Sequence, residues 1–458
     1  MVHHRSKRGV LPGPAFLILC ALLIVVWIAG GGSRADLIGQ VVVRGATWVL
    51  VIIAVLVGVR PAPSAVRPIL LILLIALALV LFQLMPLPPG LWQALPGRSA
   101  LSAAAKLAGE AQPWRPLAIV PDAAVNAASS LATPIAVLLL FSALDEAERA
   151  WLPGLLLALA TAAMLVGLLQ LSGAGFNNAL VNDTPGEISG TFANRNHFAL
   201  FLAIGCLVAP VWAFSGERRL TWRAPTAVGL VLLFELTILA SGSRAGMLAG
   251  AVALVIALAL TRHGIRRAFG SPPRWLFPAI ATTVVAIFAV LLVISISADR
   301  AVSINRAASL GTGQDMRARG LPVVLAMIRD YFPAGAGMGG FDPIFRMHEP
   351  FNLLKRTYFN HAHNDFLEIA LDAGLPGLLL LAAAIGWWGL ASARAWRRRP
   401  DAVVVLARLG SAILLLVLGA SLVDYPTRTP LIMVTMVLAA MWLHCGTGPA
   451  LPRPPQHL

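Results

Sequence analysis

Residues 68–86 read PILLILLIALALVLFQLMP, a run without a single charged side chain. A helix that crosses the hydrocarbon core of a bilayer needs about 20 mostly apolar residues. This stretch therefore predicts a membrane-spanning helix. The whole chain has the same character, because 58% of its 458 residues are hydrophobic and only 12% are charged. Soluble domains carry about 25% charged residues, so the composition excludes a soluble globular protein.

The same length criterion, applied along the chain, predicts an all-α polytopic membrane protein with about twelve transmembrane helices. The predicted spans are 11–32, 37–58, 68–86, 123–141, 152–172, 192–214, 225–241, 245–261, 275–297, 364–390, 402–422 and 429–445. The first span is too long for the apolar core of a secretory signal, and further spans follow it. We therefore expect a single membrane domain over 1–458 with two long loops, 87–122 and 298–363.

Basic residues in short loops predict the orientation, because they remain on the cytoplasmic side. They precede the first span and cluster in every second short loop, whereas the intervening short loops carry few. Both termini are therefore expected in the cytoplasm, and both long loops on the external face. The net charge of +15 is mostly this topology signal. It gives no reason to expect a nucleic-acid partner.

The two long loops differ in composition. Loop 87–122 has the tryptophans and prolines of a segment at the headgroup level, and its role stays open. In loop 298–363, residues 318–330 predict an amphipathic helix. The glycine-rich run 333–341 has two interpretations, a phosphate cradle of backbone N–H groups or, preferably, a flexible turn.

The external start of the span 364–390 carries His361-Ala362-His363-Asn364-Asp365. Ionisable side chains at a bilayer boundary are a functional-site hypothesis by default. Five basic side chains from separate segments are predicted on this same face, namely Arg195, Arg244, Arg317, His363 and Arg428. Together they predict a cationic cleft for an anionic, lipid-embedded substrate such as a polyprenyl diphosphate, since guanidinium groups match phosphate oxygens.

Each of these residues also has a simpler explanation when it is taken singly. Arg244 is compatible with an interfacial arginine, and the polar set around Asn196 with a helix cap. Asp424 and Arg428 are close enough in sequence to pair with each other. The common sidedness of the five basic groups favours a shared site over these separate explanations.

His363-Asn364 is followed, after nine residues, by Gly374-Leu375-Pro376-Gly377. This pattern resembles the signature of the bacterial O-antigen ligase superfamily, which also includes O-antigen polymerases and protein O-oligosaccharyltransferases. The resemblance covers about 185–430, and its other pieces are Gly190-Thr191-Phe192 with Asn194 and Asn196, Ser243-Arg244, Arg317 before Leu325-Ala326-Met327-Ile328, and the run from Gly335 to Phe341. One departure is Gly320-Leu321-Pro322, where many members have a tryptophan-bearing helix.

The resemblance implies a GT-C-type glycosyltransferase of the bacterial inner membrane, with a periplasmic active site and no metal or other cofactor. It implies undecaprenyl-diphosphate-linked glycan as donor and His363 as general base. It also implies that Arg244 and Arg317 bind the diphosphate. Arg195, from the same cationic face, is a further candidate diphosphate ligand, and Asn364, Asn196, Asp424 and Arg428 are candidate supporting residues. His361 lacks the following asparagine, so we expect it to support the loop or to face water.

The acceptor stays open within this superfamily. Ligation to lipid A-core is the leading prediction, followed by polymerisation of O-antigen or exopolysaccharide, with protein glycosylation third. A lipid-linked glycan flippase or transporter would share the topology and the cationic face. Transporters, however, place their ionisable groups near the bilayer midplane. Here they lie at the external helix ends, which favours an enzyme.

Overall fold

A computed structural model of the chain describes residues 12–173, 177–181, 186–214, 222–269, 282, 316–354 and 359–447. Within these residues, nine helices are long and apolar enough to cross a membrane, and Pro14–Ala29 and Pro430–Cys445 are shorter apolar helices. The predicted all-α polytopic membrane fold is confirmed. These helices coincide with the predicted spans except 275–297, of which the structure describes residue 282 alone, so the total of twelve stays a prediction.

The described helices are α1 (Pro14–Ala29), α2 (Ile38–Leu56), α3 (Arg67–Gln83), α4 (Pro89–Ala94), α5 (Ser99–Leu107), α6 (Pro121–Ser130), α7 (Ala132–Ala143), α8 (Glu146–Leu171), α9 (Arg195–Phe214), α10 (Arg223–Ala240), α11 (Arg244–Phe269), α12 (Met316–Tyr331), α13 (Phe341–His348), α14 (Asp365–Arg397), α15 (Ala402–Ala420) and α16 (Pro430–Cys445). The described part of the chain also contains three 3-10 turns, at Pro63–Val66, Phe351–Leu353 and Pro426–Arg428. Two short strands, β1 (Pro86–Leu87) and β2 (Arg115–Pro116), pair antiparallel.

Helix α9 lies at the centre of the bundle, with 78% of its apolar window buried inside the protein. It packs against α8, α10 and α11 and also contacts α15. A helix that is apolar all round can be buried by neighbouring helices on every side. This central position matters for the site, because the first residues of α9 include Arg195 and Asn196.

Two predicted spans have more internal structure than their composition suggests. The span 123–141 consists of α6 and α7, which meet at Leu131. Helix α14 bends at Gly374, whose backbone has φ 57° and ψ −144°. A Cβ atom at this position would lie 2.1 Å from the carbonyl oxygen of Pro333. Both the left-handed backbone and the close approach therefore require glycine.

The two long loops pack against each other, which assigns a structural role to loop 87–122. The buried Arg98 side chain donates hydrogen bonds to the carbonyl oxygens of Leu117 and Gly335 at 2.8 and 3.1 Å. Burial lowers the pKa of Arg98 to about 10, despite the opposing effect of Tyr331. The Ile119 N–H also donates to Ala336. We call the end of the bundle that carries these two segments the loop face.

The glycine-rich run 333–341 is packed against the first turns of α14. The N–H groups of Ala336 and Gly337 donate to the carbonyl oxygens of Leu371 and Asp372. The N–H of Gly339 donates to the Asp372 carboxylate at 3.2 Å. Because these donors already have protein partners, the phosphate-cradle interpretation is not supported. The run instead fixes loop helix α12 to α14.

Orientation is testable on this fold. Phe351 is exposed on the loop face, and Ser64 is exposed in the short loop before α3. In a variant without Cys20, Cys206 and Cys445, Phe351→Cys is expected to react with a membrane-impermeant maleimide in cells with a permeabilised outer membrane. Ser64→Cys is expected to react only after lysis of the inner membrane. The opposite labelling pattern would invert the predicted topology.

Candidate active site

His363 lies directly before α14, in a backbone conformation that is unusual for a side chain with a Cβ atom. Its φ is +52°, in the left-handed region that non-glycine residues seldom adopt. Its Nδ1 lies 3.4 Å from Oδ1 of Asp424, in the turn between α15 and α16. The next residue, Asn364, caps α14 by accepting from the Leu367 N–H and donates to the Leu422 carbonyl oxygen. The cap holds His363 at the start of the helix.

Asp424 joins several of the predicted site residues. Its Oδ2 accepts hydrogen bonds from the Nδ2 atoms of Asn196 at 2.6 Å and Asn194 at 3.2 Å. The same oxygen lies 3.7 Å from Nη2 of Arg317. A buried carboxylate is tolerated only where such donors and charges compensate its desolvation. One side chain thereby connects the start of α9, loop helix α12 and His363.

The charge state of Asp424 follows from this environment. Burial alone would raise its pKa, but the hydrogen bond from His363 and the charge of Arg317 lower the pKa well below the usual range. The carboxylate therefore stays ionised at neutral pH. In a neutral imidazole, an ionised partner at Nδ1 favours the tautomer with the proton on that atom, which leaves the lone pair on Nε2.

The turn before α11 is tied to the same network. Oγ of Ser243 donates to Oδ1 of Asn196 at 2.7 Å. Arg195 lies beside this turn, since a Cβ atom at Gly242 would be 3.8 Å from its Nη1. Arg195 also lies 4.0 Å from the Glu187 carboxylate. The exposed Arg244 follows Ser243 directly, so the structure brings the segments of all three predicted diphosphate ligands to one region of the loop face.

Residues 228–382 match a family model described as O-Antigen ligase. These residues, which we call the O-antigen ligase region, are similar to that family. No curated protein matches the chain significantly.

The O-antigen ligase region contains part of the site only. Arg244, Arg317, His363 and Asn364 lie within the matched residues, whereas Arg195, Asn196, Asp424 and Arg428 lie outside them. The contacts of Asp424 with Arg317 and His363 therefore join the O-antigen ligase region to the final two helices.

Arg428 corrects one interpretation of the sequence, because it does not pair with Asp424. Its guanidinium lies 3.2 Å from Glu368, 3.5 Å from Asp365 and 3.5 Å from Asp372. These carboxylates follow i, i+3, i+7 spacing on α14, which places them on one helix face. Burial opposes the charge on Arg428, but the three carboxylates raise its pKa above the ordinary value. Arg428 thus supports the site by fixing the last turn to α14.

Two roles were predicted for His361, support of the loop or a side chain that faces water. In the structure its ring nitrogens both lie close to protein groups, which fits support of the loop. Its Nδ1 lies 2.8 Å from Oε1 of the fully buried Glu368, and its Nε2 lies 3.1 Å from Oγ of Ser33. The O-antigen ligase region thus contains two histidines with separate carboxylate partners.

Sequence reasoning missed two further members of the site, Tyr425 and His197. The Tyr425 ring lies 4.2 Å from the His361 ring, 5.0 Å from the His363 ring and 5.1 Å from the His197 ring, between centroids. Nδ1 of the buried His197 is 3.0 Å from Oγ1 of Thr429. The sequence signal for Tyr425 was its position directly after Asp424.

Among the described ranges, no group of three or more His, Cys, Asp or Glu side chains has the arrangement of a metal site. The clusters around Asp424 and Arg428 are instead held by arginine and amide groups. Their chemistry is that of charge-assisted hydrogen bonds.

Proposed function

We propose that the protein transfers a glycan from an undecaprenyl-diphosphate-linked donor to an acceptor hydroxyl, with lipid A-core as the acceptor of a ligase reaction. One observation carries the proposal. His363 Nδ1 and Arg317 Nη2 lie near the two oxygens of the same buried carboxylate, at 3.4 Å from Oδ1 and 3.7 Å from Oδ2 of Asp424. A proton acceptor and a cation are thereby held side by side, as a transfer from a diphosphate requires.

In the proposed step, the acceptor oxygen attacks the anomeric carbon of the donor sugar. The bond between that carbon and the diphosphate oxygen breaks, and undecaprenyl diphosphate leaves with the electron pair. Nε2 of His363 takes the proton of the acceptor hydroxyl. Nδ1–H remains directed to Asp424 at 3.4 Å, which stabilises the imidazolium that forms, as in other carboxylate–imidazole pairs.

Arginine side chains supply the charge neutralisation in this proposal. Arg244, Arg317 and Arg195 bind the diphosphate and stabilise the negative charge that develops as it leaves. Positioning of donor and acceptor supplies a further part of the acceleration. The reaction so written requires neither a metal ion nor another cofactor. Asn196, Asp424, Asn364 and Arg428 hold these groups in place through the contacts described above.

The proposed setting is the bacterial inner membrane, with both termini in the cytoplasm and the loop face in the periplasm. The alternation of basic loops along the sequence supports this orientation. Lipid-linked donor and acceptor would then both reach the site from the bilayer.

Lysine substitution tests the diphosphate ligands. Arg244→Lys and Arg317→Lys are expected to be nearly as damaging as alanine substitution, with transfer lowered about 10² to 10³-fold, because a point charge cannot replace the planar fork. Transfer is measured in membranes at matched protein levels. Arg319→Ala is the control, since Arg319 lies on the same helix but donates to the Asn352 carbonyl oxygen. Full activity in both lysine variants would contradict diphosphate binding by the planar groups of the two arginines.

A deletion strain separates the ligase reaction from polymerisation. Loss of all polymer from lipid A-core, with accumulation of lipid-linked chains, is expected for the ligase. A single attached repeat unit would instead show an O-antigen polymerase, which the matched family region supports equally. An unchanged lipopolysaccharide ladder would direct the assignment to another glycan, such as an exopolysaccharide.

A further inference from the structure

A small cavity of about 110 Å³ lies next to Asp424. It is formed by the first turn of α9 and four other segments, namely the loop between α1 and α2, the residues before α9, the segment before α14 and the turn between α15 and α16. Of its lining residues, Asn194 donates to Asp424, and Tyr425 follows Asp424 in the chain. The three proposed diphosphate ligands are not among the residues that line it. We call this space the His197 cavity.

His197 offers the cavity an unused hydrogen-bond donor. Its side chain is 3% exposed, and no described residue is a hydrogen-bond partner of its Nε2 atom. Nδ1 lies 3.0 Å from the hydroxyl oxygen of Thr429, and Nε2 lies 3.8 Å from Oδ1 of Asp424. A lone pair on Nε2 would face an ionised carboxylate. The favoured tautomer is therefore the one in which Thr429 donates to Nδ1 and Nε2 carries the proton.

The rest of the wall combines apolar and polar groups. Leu37, Val181 and Ala193 supply apolar surface, and Asn360 and Tyr425 add an amide and a phenol. A ligand that complements this wall needs an acceptor for the imidazole N–H, a polar atom for the amide and an apolar end. A hydroxyl group or a water molecule has no apolar end.

The charges around the cavity disfavour an anionic ligand. Because Nε2 of His197 lies 3.8 Å from the ionised Asp424, a carboxylate or phosphate bound to its N–H would meet a like charge. Arg34, which also lines the cavity, is ion-paired with Asp36. The complementary ligand is therefore neutral. An acetamido group combines a carbonyl oxygen, an N–H and a methyl group within a few atoms, and so complements each part of the wall.

The cavity lies close to the proposed base. His363 Nδ1 and His197 Nε2 face the same oxygen of Asp424, at 3.4 and 3.8 Å. In the proposed reaction, the hydroxyl group that His363 deprotonates attacks the anomeric carbon of the donor sugar. The neighbouring ring carbon is C2. A substituent on C2 of the donor sugar is therefore well placed to enter the cavity while the anomeric carbon reacts.

We propose that the His197 cavity binds the acetamido group of a 2-acetamido sugar, and that this sugar is the one linked to the diphosphate of the donor. Nε2–H of His197 donates to the acetamido carbonyl oxygen, and the methyl group packs against Leu37, Val181 and Ala193. The assignment to the donor rests on the proposed function, whereas binding of an acetamido sugar does not.

Saturation-transfer NMR on the full chain in nanodiscs tests the binding. The probe is methyl 2-acetamido-2-deoxyglucoside, and methyl glucoside is the comparison. The acetamido methyl protons are expected to receive the strongest saturation. Ala193→Leu fills the cavity and is expected to lower this saturation about tenfold or more. The matched control is Ala35→Leu, because Ala35 is exposed in the loop between α1 and α2 and does not line the cavity.

Val181→Phe fills the cavity from another segment, in case Ala193→Leu fails to fold. His197→Phe keeps a ring without an N–H, whereas His197→Gln can place an NH2 group near the position of Nε2. We expect binding to be lost in His197→Phe and largely retained in His197→Gln. Equal saturation in the filled variants and the wild type, or equal saturation of the two glucosides, would overturn the proposal.

Transfer kinetics separates this proposal from the proposed function. The donors are undecaprenyl diphosphates that carry either 2-acetamido-2-deoxyglucose or glucose. The wild type is expected to prefer the acetamido donor about tenfold or more in kcat/KM, because the glucose donor leaves the His197 N–H unpaired. Ala193→Leu is expected to abolish this preference by slowing the acetamido donor alone.

The outcomes of the two assays differ for the two claims. Equal kcat/KM for both donors would overturn the donor assignment while the proposed function stands. Specific saturation of the acetamido probe by a wild-type protein that transfers neither donor would reject the proposed function while the acetamido site stands. A change in the acceptor KM alone in Ala193→Leu would contradict binding of the donor sugar.

Discussion

His363→Ala is expected to lower glycan transfer to a few per cent of the wild-type rate or less. General-base catalysis typically contributes about 10² to 10⁴-fold, and alanine has no atom that can take the proton from the acceptor hydroxyl. The loss should fall on kcat more than on KM, because His363 is proposed to act in the transition state. Purified protein in nanodiscs, with a lipid-diphosphate donor and excess acceptor, gives the measurement.

His361→Ala is the comparison for this variant. His361 lies 2.8 Å from Glu368 and 3.1 Å from Ser33, so its removal is expected to loosen the loop but to retain a substantial part of the rate. If His363→Ala turned over at the wild-type rate, the general-base mechanism would be wrong even with the family assignment intact. Loss of activity in His361→Ala alone would transfer the role of base to His361.

Asp424→Asn is expected to lower transfer by a similar factor, about 10² to 10⁴-fold. The neutral amide that replaces the carboxylate cannot stabilise an imidazolium at His363. Its NH2 group would also lie against the NH2 groups of Asn194 and Asn196, which donate to the carboxylate in the wild type. The matched control is Asp330→Asn, because Asp330 is an exposed carboxylate at the end of α12. Transfer close to the wild-type rate in Asp424→Asn, at matched thermal stability, would contradict the role of Asp424.

The lowered pKa of Asp424 also predicts a pH dependence. A carboxyl group with a folded-state pKa below its unfolded value of about 3.9 contributes stability above that value and loses it as the pH falls through the folded-state pKa. Asp424 is therefore expected to cause no change in stability between about pH 5 and 9. Asp424→Asn should accordingly flatten the loss of stability below about pH 4. An unchanged acid limb in this variant would argue against an ionised, paired Asp424.

Local patterns in the sequence predicted the described membrane-spanning helices and selected several candidate site residues. An uncharged apolar run as long as residues 68–86 is enough to predict a membrane-spanning helix, and α3 occupies this run in the structure. His363 and Arg317 were selected because their spacing from neighbouring motif residues resembles the family signature. Both contact Asp424 in the structure. For the glycine-rich run the sequence favoured a flexible turn over a phosphate cradle, but it gave no sign that N–H groups of this run would donate to α3 and α14.

Other parts of the site depend on contacts between distant segments, which no local pattern specifies. Pairing with the neighbouring Asp424 was the simpler of two explanations for Arg428, but packing of α16 against α14 places Arg428 among Asp365, Glu368 and Asp372. The role of Tyr425 likewise depends on three histidines from two segments that converge only in the folded bundle.

Reconstitution of the purified protein tests the central proposal most directly. Nanodiscs receive an undecaprenyl-diphosphate-linked glycan and lipid A-core, without added metal and with EDTA present. The account predicts that glycan appears on the acceptor while undecaprenyl diphosphate is released in equal amount, and that Arg317→Ala and His363→Ala abolish both. No transfer by the wild-type protein, or transfer that EDTA stops and Mg²⁺ restores, would contradict the account.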